Sequence, residues 1–409
     1  MPIEYGSNLP KVKVMNRVTI RKMIYHYGPL LRLDIAKRLS LTLPTITTNV
    51  NEMIAQGVVR DQELSTQEGS RVGRRANLVD IVPASKFFIG AEMRKDSCRL
   101  CITDYRGNIV HSVADTASLP DYNQNLARVC SMITQALGSD IAVKSGIAGI
   151  GVSVPGVVDT EAGKLIAHRQ YGWFDKDIRA EIRSKTDYAG TISVGNDACT
   201  RAMAMQLFER DLLNGVSAFA YLFIARGISC PFILNTSNFE CRPLGLGELG
   251  YMIIDADRPV DSIGMPGNLS SLSGERAIID RCHEAMIAGN TPILTDLCGN
   301  LDRPTFSQVL AAQLAGETIV QEILASSISS LGIAVCNVCN FIQPEYFFID
   351  ARLFESKENR QLFLETVDRH LMVPSNLLPR FVFVEADEFR GAHSAAGYAI
   401  RAELDRYDD

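Results

Sequence analysis

The chain has 409 residues, 46% of them apolar, enough for two or three domains with sizeable cores. It lacks an obvious run of about 18 apolar residues and its first residues have no apolar signal-peptide core, so no membrane span and a cytoplasmic location are expected. The net charge of −6 hides a split: residues 1–83 hold 12 Lys/Arg against 7 Asp/Glu and the remainder 29 against 40, so a basic head precedes an acidic body and suits attraction to nucleic acid through one end only.

Three short helices are predicted first. Residues 16–28 place Val18, Ile20, Ile24 and Tyr27 on one apolar side, and Gly28-Pro29 ends the helix. The second runs from Leu33 to Leu39 with Ile35, Ala36 and Leu39 inward. The third opens near Pro44, with Thr42 as N-cap, and ends before Gly57. In it Ile46, Val50, Met53 and Ile54 recur at helical spacing. Thr45, Thr47, Thr48, Asn49 and Asn51 are expected on the remaining polar face, where short hydroxyls and amides approach base edges or phosphates without clashes. "VVRDQEL" and "NLVDIV" read as two strands of a wing, and the tip between them carries Arg71, Arg74 and Arg75, suited to phosphates or a minor groove. Helix–turn–helix, hairpin and arginine-rich tip together predict a winged helix–turn–helix that binds double-stranded DNA. Any one of these features alone fits a structural module equally well.

The body alternates strands with long helices, the pattern of a layered α/β fold. "KFFIGAEM" and "CRLCITDY" form a hairpin, residues 123–137 a helix, and "GIGVSVPGVVD" a buried strand ending at Pro155-Gly156. "TISVGNDACTRAMAMQLFE" is a strand leading into a helix. Cys98 and Cys101 lie three apart on a strand and face opposite ways, and Cys336 and Cys339 lie on an apolar helix, so both pairs read as buried thiols rather than metal ligands.

"GRRANLVDIVP" before "IGAE", then "IGVSVPGVVD", "NDA", "GELG", "CNFIQPEYFFID" and "HSAAGYAI" come in an order and spacing that resemble the ROK family, in its repressor branch. The resemblance implies a winged helix–turn–helix (1–83) and an α/β body of two ribonuclease-H-like lobes of the actin-like ATPase architecture. It divides that body into a first lobe (84–200), a second (201–390) and a C-terminal helix returning to the first (391–409), with a sugar site between the lobes. By the same resemblance Asn196 and Glu248 are sugar contacts, and Asp197 stands where family kinases keep the base that takes a sugar proton. Tyr251 replaces the motif's histidine, a sugar and zinc ligand, the following cysteine cluster is missing, and Ser270 falls where a sugar-binding glutamate belongs. The phosphate sequences are also altered: "EMRKD" replaces an aspartate–glycine–glycine–threonine run, and Asp350-Ala351-Arg352 a glycine triplet. Phosphates need close backbone N–H groups, which side chains obstruct.

The expectation is therefore a regulator without catalytic residues, metal or cofactor. It binds operator DNA as a homodimer or dimer of dimers and responds to a sugar or sugar-phosphate effector lining Asn196, Asp197, Glu248 and Tyr251. Two alternatives stay open: a regulator controlled by a transport-protein partner with a vestigial sugar cleft, and a sugar kinase.

Overall fold

The computed structural model describes residues 9–63, 77–119, 121–235, 241–244, 247–257, 267–300, 302–372 and 379–407. In chain order the N-terminal region holds α1 (Leu9–Tyr27), β1 (Leu30–Leu31), α2 (Arg32–Leu39), α3 (Leu43–Ala55), β2 (Val59–Glu63) and β3 (Asn77–Ile81). Thr42 caps α3 by accepting from the Thr45 N–H, as its hydroxyl chemistry predicts, and Pro44 sits in the first turn. The three strands form an antiparallel sheet in the order β1-β3-β2. This is a winged helix–turn–helix region. Its sheet includes β1, two residues too short to leave a periodic signal.

The chain divides into two compact units. The first comprises Met1–Gly215 and Glu388–Asp409, with Thr236–Cys241; the second comprises Val216–Asn235 and Arg242–Asp387. Beyond the N-terminal region the first unit contains β4 (Phe87–Met93), β5 (Cys98–Asp104), β6 (Ile109–Asp115), α4 (Tyr122–Leu137), α5 (Asp140–Ser145) and β7 (Gly149–Val154). It continues with β8 (Val157–Asp159), β9 (Lys164–His168), β10 (Trp173–Lys176), α6 (Ile178–Thr186), β11 (Thr191–Asn196) and α7 (Asp197–Phe208). Its main sheet runs β11-β7-β4-β5-β6, with β7 parallel to both β4 and β11 and with β4, β5 and β6 antiparallel in succession.

The second unit contains β12 (Ala218–Ile224), β13 (Ile228–Ser229), β14 (Phe232–Asn235), β15 (Cys241–Leu244), α8 (Leu269–Ser273), α9 (Glu275–Ile287), α10 (Pro292–Cys298) and α11 (Phe306–Leu314). It ends with α12 (Thr318–Ile342), β16 (Tyr346–Asp350), α13 (Lys357–His370) and β17 (Arg380–Phe383), after which α14 (Arg390–Leu404) belongs to the first unit. Its sheet runs β15-β14-β12-β16-β17, with β12, β16 and β17 parallel. Numbered within each main sheet, with the two-residue β13 that pairs beside β12 left aside, both have the order 3-2-1-4-5. Two hairpin strands flank the first strand on one side and two parallel crossover strands on the other, the ribonuclease-H-like topology repeated.

The glycines of the first sheet follow from α14. A Cβ on Gly151 of β7 would lie 1.7 Å from the Ala395 carbonyl oxygen, and one on Gly90 of β4 would lie 2.0 Å from that of Ala392. The helix backbone thus rests directly on the strands, and "HSAAGYAI" supplies the small residues that this approach needs. By length and hydropathy α12 could cross a membrane, but Val320, Leu324, Ile328, Leu331 and Val335 along it are buried in the core of the second unit.

Packing runs across two of the expected boundaries. No division falls at residue 83: Ile20, Ile24, Ile46, Val50, Val79 and Ile81 share one core with Phe88, Tyr105, Leu207, Ile400 and Leu404. The expected boundary at 200 falls inside α7. That helix packs along α14, so the first unit continues to Gly215.

Candidate functional site

On α3 the exposed positions are Leu43, Pro44, Thr48, Asn51 and Ala55, the last four spaced i, i+4, i+7 and i+11 from Pro44, with Thr45 and Thr47 half-buried beside them. The Thr45 hydroxyl lies 2.8 Å from that of Thr42, and the Thr47 hydroxyl donates to the Leu43 carbonyl at 2.9 Å. Asn51 Oδ1 accepts from Arg32 at 3.5 Å, and Arg32 is held by both Asp61 carboxylate oxygens at 2.7 and 3.0 Å. Asn49 corrects the expected polar face. It is 2% exposed, and its amide donates to the Thr45 carbonyl at 2.8 Å, so it lies on the packed side with Ile46, Val50 and Met53. A small polar side chain among apolar ones follows the helical register rather than its own polarity. Arg71, Arg74 and Arg75 lie outside the described residues. Behind α3, Glu52 pairs with Lys13 at 2.5 Å and with Arg17, tying the helix to α1.

At the end of β11 the chain turns into α7. Asn196 is its N-cap: Oδ1 accepts from the Cys199 N–H at 3.0 Å, and Nδ2 donates to the Gly156 carbonyl at 2.8 Å. Asp197 follows, 8% exposed, with Oδ1 accepting from the Ala198 N–H at 2.9 Å. Burial raises its pKa above the ordinary 3.8; Arg94 and Arg201 pull it back, and Glu92 adds to the rise.

Glu92, 2% exposed, fills the end of β4 where the resemblance expects phosphate-binding backbone. Its carboxylate accepts from Arg201 at 2.8 Å, with Arg94 and Arg99 at 4.0 and 3.9 Å. A Cβ on Gly391, at the start of α14, would lie 2.0 Å from Glu92 Oε1, so the carboxylate occupies the space against that helix. Burial works against the charged Arg94 guanidinium, yet Glu92, Tyr171, Asp197 and Asp96 hold its pKa above the usual value. Tyr171 is the centre of a cluster that single-residue reading passes over. It stacks on His168 at 4.0 Å and meets Trp173 edge-on at 4.9 Å, with Lys95 Nζ 5.9 Å from its ring. The aromatic spacing in "HRQYGW" is its one sequence signal.

In the second unit, the half-buried Glu248 precedes a short 3-10 turn, Leu249–Tyr251, and Tyr251 is 37% exposed. A Cβ on Gly250 would lie 2.1 Å from Ser270 Oγ, so Ser270, where the resemblance expects a glutamate, packs against the residue that precedes Tyr251. Among the described residues no group of three or more His, Cys, Asp or Glu is placed to hold a metal ion. Asp350 accepts from the Tyr221 hydroxyl at 2.7 Å, and Arg352 turns to Ser307 at 2.5 Å, so both carry internal contacts. The four expected effector residues therefore fall in two sets, Asn196 with Asp197 on the first unit and Glu248 with Tyr251 on the second.

The "Xylose repressor" of Caldicellulosiruptor bescii is 22% identical over 344 residues, 84% of each chain. The "N-acetylglucosamine repressor" of Escherichia coli O157:H7 is 23% identical over 358 residues, covering 86% of this chain and 83% of that protein. A crystal structure of a ROK family transcriptional regulator, a homologue of the E. coli MLC protein, superposes with a TM-score of 0.77 at 20% identity over 96% of both chains. A ROK family glucokinase from Streptomyces griseus in complex with glucose and AMPPNP superposes with a TM-score of 0.63 at 16% identity, over 77% of this chain and 99% of that one. The sequence profile of the ROK family matches residues 88–401, and the chain belongs to that family.

Proposed function

We propose that this protein is a cytoplasmic transcriptional regulator, a repressor of carbohydrate-related genes, which binds operator DNA as a homo-oligomer and is controlled by a sugar or sugar derivative. The observation that carries the reading is the winged helix–turn–helix itself, whose α3 leaves Thr48 and Asn51 exposed while Ile46, Val50 and Met53 are buried. That geometry suits major-groove docking, with Arg71, Arg74 and Arg75 as wing contacts to phosphate or the minor groove. Relatives named as xylose and N-acetylglucosamine repressors support it.

Asn196, Asp197, Glu248 and Tyr251 are the proposed effector contacts. Carboxylates accept from sugar hydroxyls, an amide does both, and tyrosine offers a hydroxyl and a face for a sugar ring. The kinase reading rests on Asp197 and on the similar kinase folds. Against it stands Glu92, whose buried carboxylate fills the position where a phosphate cradle needs open backbone.

Selection of duplexes from a random-sequence pool at fixed salt tests the DNA reading. Wild type should enrich a two-fold-symmetric site, and Thr48→Ala with Asn51→Ala should lose discrimination while keeping non-specific affinity; equal enrichment by both proteins refutes the assigned face. Thermal-shift screening with D-xylose, D-glucose, N-acetylglucosamine and their phosphates tests the effector reading. A coupled ATP assay over the same sugars should show no turnover; turnover abolished by Asp197→Asn would replace the regulator with a kinase.

A further inference from the structure

We propose that the far end of α7 is a mechanical link between the candidate effector residues and the DNA-binding region, acting through Phe208, Arg106 and Arg210 on the end of α1. The inference rests on the regulator reading and adds to it the path by which control travels.

The path is continuous and lies wholly within the first unit. α7 begins at Asp197 and ends at Phe208, a rigid rod of about 18 Å at 1.5 Å per residue. At its end the Phe208 ring stacks on His393 of α14, with centroids 4.1 Å apart and planes 4° from parallel. His393 Nε2 lies 2.7 Å from the Gly107 carbonyl oxygen. Gly107 has φ +87°, and a Cβ there would lie 2.2 Å from the Phe208 ring, so the β5–β6 turn is pressed against that ring. Its neighbour Arg106 donates to the Tyr25 carbonyl at 2.6 Å and pairs with Asp80 of β3. Two residues beyond α7, Arg210 donates to the same Tyr25 carbonyl at 2.8 Å.

Tyr25 is in the last turn of α1, where carbonyls have no donor from their own helix and the helix dipole is negative. Two cations from the body cap that end, one attached to each side of the Phe208 contact. Farther back, Arg21 donates to the Leu404 carbonyl at 3.2 Å and the Arg406 carbonyl at 2.5 Å, and Lys22 pairs with Asp405. α14 is immobilised on the glycines of β4 and β7, so this tether is the fixed point. Hydrogen bonds weaken steeply with misalignment. A shift of α7 therefore changes the capping of α1 beyond a point that is held. α1 carries α3 through Lys13, Arg17 and Glu52.

Hydrogen exchange on the full chain tests the link without sugar or DNA. The readout is the amides of residues 23–28. Asp197→Asn should change their exchange by about threefold or more in the wild-type background. In Arg106→Met/Arg210→Met, which removes the donors, the same substitution should change nothing, while Arg106→Lys/Arg210→Lys, which keeps charged donors, should preserve the response. If the methionine pair does not fold, Phe208→Leu takes its place with the same expectation. Persistence of the Asp197→Asn response in either uncoupled background overturns the proposal, as does its absence in wild type. Enrichment from the random duplex pool is read separately. Enrichment without exchange coupling removes the link and keeps the regulator; coupling without enrichment removes the regulator and leaves a link with no DNA to control.

Discussion

Replacing Arg201 by methionine tests the charge cluster that stands in the place of the phosphate cradle. Arg201 and Glu92 meet at 2.8 Å with side chains 8% and 3% exposed. At an effective dielectric of about 20 their gross attraction is about 6 kcal/mol, and each of the Arg94 and Arg99 contacts, at 4.0 and 3.9 Å, is worth about 4 kcal/mol. Stripping one partner from a buried pair usually costs about 3–5 kcal/mol, because the survivor is left desolvated. Here the two remaining arginines still face Glu92, so Arg201→Met should cost about 2–3 kcal/mol. Glu92→Gln on top of Arg201→Met should recover part of that loss, a coupling of about 1–2 kcal/mol, within the range of contacting pairs. The protein has one tryptophan, Trp173, buried at 2% exposure in the first unit. Its fluorescence in a urea titration follows the unit that holds the pair, and the midpoint should fall by about 1 M. Arg201→Met within 0.5 kcal/mol of wild type (roughly the spread of surface substitutions), or strict additivity in the double variant, would show that Glu92 does not depend on this partner.

Three further outcomes are expected. Gly151→Ala should cost more than about 3 kcal/mol, because its Cβ would lie 1.7 Å from a helix carbonyl; wild-type stability in the same urea titration would refute the close approach of α14. Asp197 has its folded pKa raised by burial, so its protonated form is favoured by folding, and its contribution is complete below pH 3.8 and lost as pH rises through the folded value. Asp197→Asn should therefore be more stable than wild type at pH 7, with the advantage vanishing at pH 3; a constant difference across that range would count against the burial argument. His26 is lowered from 6.5 to about 3, by burial first and then by Arg210, Arg401, Lys22 and Arg106. Its contribution is complete above pH 6.5 and is lost as pH falls toward 3, by at most about 1.4 kcal/mol per pH unit. His26→Gln should flatten that limb of the stability profile, and parallel profiles would refute it.

Local chemistry made much of this molecule legible from its residues alone. Thr42 before Pro44, Gly57 after the helix, and Ile46, Val50 and Met53 at helical spacing specify α3 wherever it sits, because capping and amphipathic periodicity are near-neighbour effects. The order of strands and helices likewise announced an α/β body, and the ordered fragments from "IGAE" to "HSAAGYAI" announced its family. Asn49 shows the limit: its polarity argued for the outer face, but the register fixed by three apolar neighbours carried it inside. Contacts between distant segments were decided only by the tertiary structure. Nothing near Gly151 in the chain says that α14, more than 200 residues later, will press its backbone against that strand. The substitution of "EMRKD" for glycines was visible, but that Glu92 is gripped by Arg201, 109 residues away, depends on β4 and α7 both packing against α14. The shared core of the N-terminal region with Phe88, Tyr105 and Leu404 has the same origin: burial is a property of where surfaces meet, and sequence periodicity reports only which face is apolar, not what will cover it.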